Sequence, residues 1–225
     1  MRKMIRALAI DGPAGAGKST IARAVSRELG WIYVDTGAMF RAVALYFLRE
    51  GVDADNAGAI REKVSEVSVT LGHENGEQQV FLNGENVSGL IRTEEVGNMA
   101  SACSVYPEVR RKLLELQRAL AEQQPVVMDG RDIGTVVLPD AETKVYLTAS
   151  VPVRAQRRFK ELQEKGISCN MEEIEKDIRE RDWRDMHRET APLKQAEDAV
   201  LVDSSDMTAA EVTERILSLV RREEA

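Results

Sequence analysis

A chain of 225 residues, 43% hydrophobic and 31% charged, has the composition of a globular protein with one large core, or a core carrying a smaller insert. A formal charge of −7 argues against a general nucleic-acid-binding face, and two cysteines and two histidines, none clustered, point to reduced thiols and no Cys/His metal centre. No apolar segment approaches a membrane span, and the apolar run of "MRKMIRALAID" stops at Asp11 after four residues, too short for a signal peptide. The expectation is a cytoplasmic protein with no nucleic-acid or membrane partner. With no coiled-coil heptads and no long apolar patch, a monomer is expected.

In chain order, Ala7–Ile10 reads as a buried strand. "GPAGAGKS", Gly12 to Ser19, follows it at once and matches G-x-x-x-x-G-K-[ST]. In such a loop the backbone N–H groups of Gly12, Pro13, Ala14, Gly15, Ala16 and Gly17 (proline excepted) wrap a phosphate, and the helix that Lys18, Ser19 and Thr20 open adds its positive end. Lys18 is expected on the β- and γ-phosphates of ATP and the Ser19 hydroxyl on Mg²⁺. Ile21, Val25 and Leu29 then repeat at helical spacing, and Gly30 closes the helix.

A second strand, Ile32–Val34, leads into Asp35-Thr36-Gly37 and a helix from Ala38 to Glu50 that Gly51 stops. Asp35 or Thr36 is either an N-cap or a site residue, and Arg41 either an ordinary surface arginine or a ligand group. A helix at about Asn56–Val64 precedes Glu66–Gly89, which alternates like a strand and carries Asn75-Gly76 and Asn83-Gly84, two hairpin signals. A single helix is expected over about Glu94–Gln123.

The strand Val126–Met128 ends in Asp129-Gly130-Arg131-Asp132. Three charges at the mouth of a buried strand are costly unless paired or facing a ligand. After the strand Lys144–Thr148, a helix starting beyond Ser150, with Pro152 in its first turn, sets Arg154, Arg157 and Arg158 on one face. A polar turn with Gly166 leads to a second helix, read up to about Thr190, with Arg181, Asp185 and Arg188 in one stripe. Two readings stand for this pair: solvated helices laced with ion pairs, or a flap that brings arginines to a transferring phosphoryl group. A last strand, Val200–Val202, precedes a helix from an N-cap at Thr208 to Arg222, with Val212, Ile216, Leu219 and Val220 inward.

Apolar strands alternating with amphipathic helices specify an α/β fold: a P-loop core with a five-stranded parallel sheet flanked by helices, a small antiparallel β insert and a helical lid. The expected division is a core of residues 1–37, 100–150 and 190–225, a region 38–99 with a β-hairpin insert at about 66–89, and a lid at 151–189. In an open α/β sheet ligands bind beyond the carboxyl ends of the strands. The Gly12 loop, Asp35–Arg41 and Asp129–Asp132 all follow such ends, so they are expected to share one crevice.

No guanine-reading Asn-Lys-x-Asp occurs, which argues against a GTP switch. Several readings remain in competition. A nucleotide monophosphate needs many arginines and no base. A small hydroxylated metabolite needs a carboxylate base such as Asp35 or Asp129. A non-catalytic ATP-dependent switch needs neither. An ATPase motor also stays open, with Asp129 as the Mg²⁺-orienting residue that ends its strand.

"AIDGPAGAGKST", "YVDTGAMFRA", "SGLIRTEEVGNMAS", "MDGRDIGTVVLPDA" and "RERDWRDMHRETAPL" together resemble the bacterial cytidylate kinases, P-loop nucleoside monophosphate kinases, over essentially the whole chain. The resemblance implies transfer of the γ-phosphoryl group of ATP to CMP or dCMP with Mg²⁺, with the insert as an enlarged monophosphate-binding region. It implies that Arg41, Arg131 and Arg188 hold the acceptor phosphate and that Ser101, Arg110 and Asp132 read cytosine. Arg181 and Asp185 would meet the sugar, Thr36 and Asp129 would line the same site, and Arg154 and Arg157 would close on the ATP phosphates. Lys18, Arg131, Arg157 and Arg188 would be the charges closest to the chemistry. Phe40 stands where the family pattern has tyrosine, which puts one positioning hydrogen bond in doubt.

Overall fold

The computed structural model describes residues 5–74 and 77–223. In chain order its elements are β1 (Ile5–Asp11), α1 (Lys18–Leu29), β2 (Ile32–Asp35), α2 (Thr36–Arg49) and α3 (Ala57–Lys63). Then come β3 (Val69–Glu74), β4 (Glu77–Leu82), β5 (Glu85–Asn86), α4 (Glu94–Cys103) and α5 (Pro107–Gln123). The chain continues with β6 (Val126–Gly130), a π-helical turn (Ile133–Val137), β7 (Ala141–Thr148), α6 (Val151–Glu164), α7 (Met171–His187), β8 (Val200–Asp203) and α8 (Ala209–Glu223). It forms two compact units, Met1–Tyr33 with Gln124–Ala225 and Val34–Gln123, so the boundary falls inside β2.

The first unit is built on the five-stranded sheet, in the order β2-β6-β1-β7-β8. β1 lies parallel to β6 and to β7, and β7 parallel to β8. Its strands carry apolar residues on both faces because both faces are covered. Leu8, Ile10, Val127, Val145, Leu147 and Val202 pack with Ile21, Ala22 and Val25 of α1 and with Val212, Ile216, Leu219 and Val220 of α8, all buried. Burying an aliphatic side chain of this size stabilises by about 1.5–3 kcal/mol. α8 starts as expected: Thr208 Oγ1 accepts from Glu211 N, and Glu211 Oε2 accepts from Thr208 N, a reciprocal capping box. α6 and α7 pack on each other through Ala155, Ile174 and Ile178, with Phe159 and Leu162 alongside.

In the second unit β3, β4 and β5 form the antiparallel sheet, with Val69 opposite Leu82 and Phe81 opposite Asn86. Asn83 and Gly84, both at positive φ (48° and 88°), make the tight turn that their dipeptide signals. The other Asn-Gly pair, 75–76, lies outside the described residues. Asp35 caps α2 by accepting from Ala38 N at 2.9 Å, Asn56 caps α3 and Thr93 caps α4.

Three expectations need correction. The helix expected over 94–123 is two helices, because Pro107 disfavours helical geometry at the preceding residue and has no N–H to continue the ladder. Residues 100–123, expected with the core, lie in the second unit, where Gln117 of α5 meets Met39 of α2. α7 ends at His187, not near Thr190, and its C-cap Arg188 is extended (φ −65°, ψ 142°) with Nε donating to Ala191 O at 2.8 Å. Arg188 therefore leaves the helical stripe in which Arg181 and Asp185 remain.

Candidate functional site

In the first unit, the loop after β1 has the backbone its motif requires. A Cβ on Gly12 would overlap the Leu147 carbonyl of β7, so only glycine lets the chain turn out of the sheet there. Gly17, the N-cap of α1, caps with no side chain, which leaves the first-turn N–H groups of α1 directed at the loop mouth. Lys18 is buried with Nζ donating to Pro13 O at 2.7 Å. Burial, then the nearby Arg131 charge, pushes its ammonium well below the ordinary lysine value, which is the field a polyanion would relieve.

Ser19 Oγ donates to Asp129 Oδ2 at 3.0 Å, and Tyr33 Oη donates to Asp129 Oδ1 at 2.9 Å. A hydroxyl and a carboxylate side by side at the loop's end are hard oxygen donors of the kind that Mg²⁺ takes when phosphates complete its shell. No group of three or more His, Cys, Asp or Glu poised to hold a metal occurs among the described residues. Two oxygen donors, Ser19 Oγ and an Asp129 carboxylate, fit an ion whose remaining positions phosphate oxygens fill.

Beyond Asp129, the end of β6 opens into a charge cluster. Arg131 Nε donates to Asp185 Oδ2 at 2.8 Å, and Arg188 Nη2 lies 3.8 Å from Asp132 Oδ1. Burial works against the Asp185 charge, but Arg131, with Arg181 and Arg188, outweighs it and holds the carboxyl below the usual range. Asp132 is 5% exposed. Lys18, Asp129, Arg131, Asp132, Asp185 and Arg188 thus belong to one electrostatic neighbourhood within the first unit.

The arginines of α6 divide. Arg154 is 4% exposed and bound on three sides: Nε to Ala149 O (2.8 Å), Nη1 to Ala14 O (2.9 Å) and Nη2 to Asp182 Oδ2 (2.7 Å). It is neither the solvated helix arginine nor an arginine turned toward a ligand; it clamps the phosphate loop to α7. Arg157 donates to Ser204 Oγ (3.2 Å) and Ser204 O (2.7 Å), and its Nη1 is 3.9 Å from where a Gly17 Cβ would lie. Arg158 pairs with Glu161 on the surface, away from both.

In the second unit, Thr36 and Arg41 lie on α2, Ser101 on α4 and Arg110 on the first turn of α5. Asp35 is taken up by its cap and by Arg92 Nη2 at 2.8 Å, so its N-cap role holds and it is not poised as a base. The buried Ser101 Oγ has no hydrogen-bond partner among the described residues, a group that a polar ligand atom would satisfy. Arg110 donates to Ser104 O (3.1 Å), and its guanidinium sits over the Phe40 ring at 5.4 Å. The ring offers a cation–π contact there but no hydroxyl, so a hydrogen bond from this position is absent.

Sequence reasoning missed Asp11, Tyr33 and Asp182. Asp11 Oδ1 and Oδ2 accept from Ile133 N (2.8 Å) and Gly134 N (2.7 Å), and burial pushes its carboxyl up to about 6 against the lowering effect of those two bonds. Its place directly before the Gly12 loop was the available signal: a charged residue closing an apolar strand needs a partner.

Residues 8–222 match the family model described as cytidylate kinase. A cytidylate kinase from Lactobacillus gasseri is 47% identical over 217 residues, covering 96% of this chain and 94% of the relative. One from Aeromonas salmonicida is 45% identical over 223 residues, covering 99% and 97%. Among solved structures, a gluconokinase from Sinorhizobium meliloti aligns over 98% of this chain and 94% of its own with a TM-score of 0.51 at 14% identity, a likeness of fold.

Proposed function

The chain belongs to the cytidylate kinase family, and we propose on that premise how its residues carry phosphoryl transfer from ATP to CMP. The enzyme phosphorylates CMP or dCMP, giving ADP and CDP or dCDP. The loop Gly12–Thr20 and Lys18 hold the β- and γ-phosphates, and Arg157, next to Gly17, adds a further positive charge. Arg154 acts on ATP through the loop carbonyl it binds rather than through phosphate. Ser19 and Asp129 would hold Mg²⁺, which when bound neutralises phosphate charge.

CMP is assigned to Thr36, Arg41, Ser101, Arg110, Asp129, Arg131, Asp132, Arg181, Asp185 and Arg188, with the insert region as its binding arm and α6–α7 as the lid. Arg131 and Arg188 take the phosphate. Asp132 accepts from the cytosine amino group, Arg110 donates to the ring acceptors, and Asp185 and Arg181 meet the sugar.

The observation that carries this reading is the charge cluster at the end of β6: arginines and a lysine packed with carboxylates that are already paired. A phosphate monoester has its second pKa near ~6 and is mostly dianionic at neutral pH, so it attacks without a general base. Its difficulty is repulsion from ATP, which such a cluster relieves. An alcohol acceptor would need a free carboxylate, whereas Asp35 is capped and Asp129 is held by Ser19 and Tyr33.

ADP release measured over a panel of nucleoside monophosphates and small polyols tests this. CMP and dCMP should accelerate it far above the rate without acceptor. Acceleration by a polyol instead, or by no acceptor, would sink the reading. Monomeric action in the cytoplasm, where both nucleotides are available, completes the proposal; light scattering should return a single-chain mass of 25.0 kDa.

A further inference from the structure

Asp11 closes β1, in register with Gly130 of β6 on one side and Tyr146 of β7 on the other. It is 5% exposed, and its two carboxylate oxygens grip the consecutive amides of Ile133 and Gly134. Those amides follow Asp132 directly. The Asp132 carbonyl in turn accepts from Val136 N (2.9 Å) and Val137 N (3.1 Å), opening the π-helical turn. The backbone on the C-terminal side of Asp132 is therefore pinned at both ends of its peptide units, and Arg131 just before it is anchored on Asp185. The residue carrying that grip also leads straight into the phosphate loop.

A turn can be closed by a neutral acceptor at little cost. A fully buried carboxylate is a costly way to do it, and two fixed amides define an orientation that one hydrogen bond does not. The π-helical turn itself is a local irregularity of a kind that concentrates at functional sites. Gly134 packs so closely that a Cβ there would stand 3.1 Å from Lys144 Cδ and 3.5 Å from Asp11 Oδ2.

We propose that Asp11 is a positioning residue that sets base selectivity: by clamping the Ile133 and Gly134 amides it aims the Asp132 carboxylate at the acceptor base. The inference rests on the assignment of Asp132 to cytosine. Asn at position 11 would accept from one amide and set its own NH₂ against the other, so the segment would rotate while the side-chain volume stayed the same.

Steady-state kinetics with CMP and UMP, on the parent, Asp11→Asn, Gly134→Ala and Asp132→Ala, test it. The ratio of kcat/KM for CMP over UMP should fall by about tenfold in Asp11→Asn, the size of one lost charge-assisted hydrogen bond, and should fall also in Gly134→Ala. KM for ATP should stay within about twofold of the parent, since the loop amides are untouched. A purely structural role lowers melting temperature and active fraction equally for both acceptors and leaves that ratio alone. If Asp11→Asn does not fold, Gly134→Ala, which disturbs the same contact from the other side, decides. Loss of selectivity in Asp132→Ala with the parent ratio in the other two would overturn the role of Asp11 alone. Parent selectivity in Asp132→Ala would overturn the base assignment on which it stands.

Discussion

Replacing Arg154 by methionine separates a clamp from a ligand. The side chain pair Arg154–Asp182 is 5% and 11% exposed, with the two groups 2.7 Å apart. Removing the guanidinium leaves the Asp182 carboxyl without that partner, and such breaks of a buried pair cost about 3–5 kcal/mol. The Ala149 and Ala14 carbonyls lose their donors as well. For a chain of this length each kcal/mol lowers the melting temperature by about 2–4 °C, so Arg154→Met should melt roughly 6–20 °C lower. Asp182→Asn should be milder, and the double variant should fall short of the sum of the two by about 0.5–3 kcal/mol of coupling. Differential scanning calorimetry of the four proteins gives both numbers. If Arg154→Met melted within about 2 °C of the parent while kcat/KM for ATP collapsed, Arg154 would be a phosphate ligand and the clamp would be refuted.

Lys18→Ala should lower kcat by at least about 10³-fold at saturating ATP, and a retained kcat would mean that the loop does not hold the transferred phosphate. Tyr33→Phe removes the hydroxyl that orients Asp129; the Mg²⁺ concentration giving half-maximal activity should rise by about tenfold, and an unchanged Mg²⁺ dependence would contradict a metal role for Asp129. Phe40→Leu should raise KM for CMP by about two- to fivefold through loss of the contact under Arg110, while KM for UMP and CMP rising from a wholesale loss of folding would show as a lowered melting temperature. Asp11, with its carboxyl raised from 3.8 to about 6, keeps its proton in the folded state at pH values where the unfolded chain has released it. Its contribution to stability is therefore highest below about pH 4 and declines by about 3 kcal/mol as pH rises to about 6. Asp11→Asn should lack this decline, which melting temperatures taken from pH 4 to 7 would reveal; parallel curves would argue against it.

What could be read from the sequence was what depends on neighbours along the chain. Each of the five strands holds a short apolar run, the loop at Gly12 has a fixed spelling, and Asn83-Gly84 forces its own turn. The break before Pro107 is legible by the same rule, although the helical patterning of 94–123 continues on both sides of it. The contacts that organise the site are of another kind. Asp11 reaches Ile133 and Gly134, Tyr33 reaches Asp129, and Arg154 reaches Ala14, each across 96 residues or more. Helical spacing placed Arg154 beside Arg157 and Arg158, yet those three side chains go to a loop carbonyl, to Ser204 and to Glu161. Periodicity identifies the face of a helix, while the partner waiting there is set by tertiary packing. Arg188 shows the converse: a stripe drawn at i+7 fails once the helix stops one residue short.

The most direct measurement follows the transferred group itself. With γ-labelled ATP, Mg²⁺ and CMP or dCMP, the label should appear in CDP or dCDP in step with ADP formation, and should vanish from that product in Lys18→Ala. Label recovered only as inorganic phosphate, at a rate indifferent to CMP, would contradict the account.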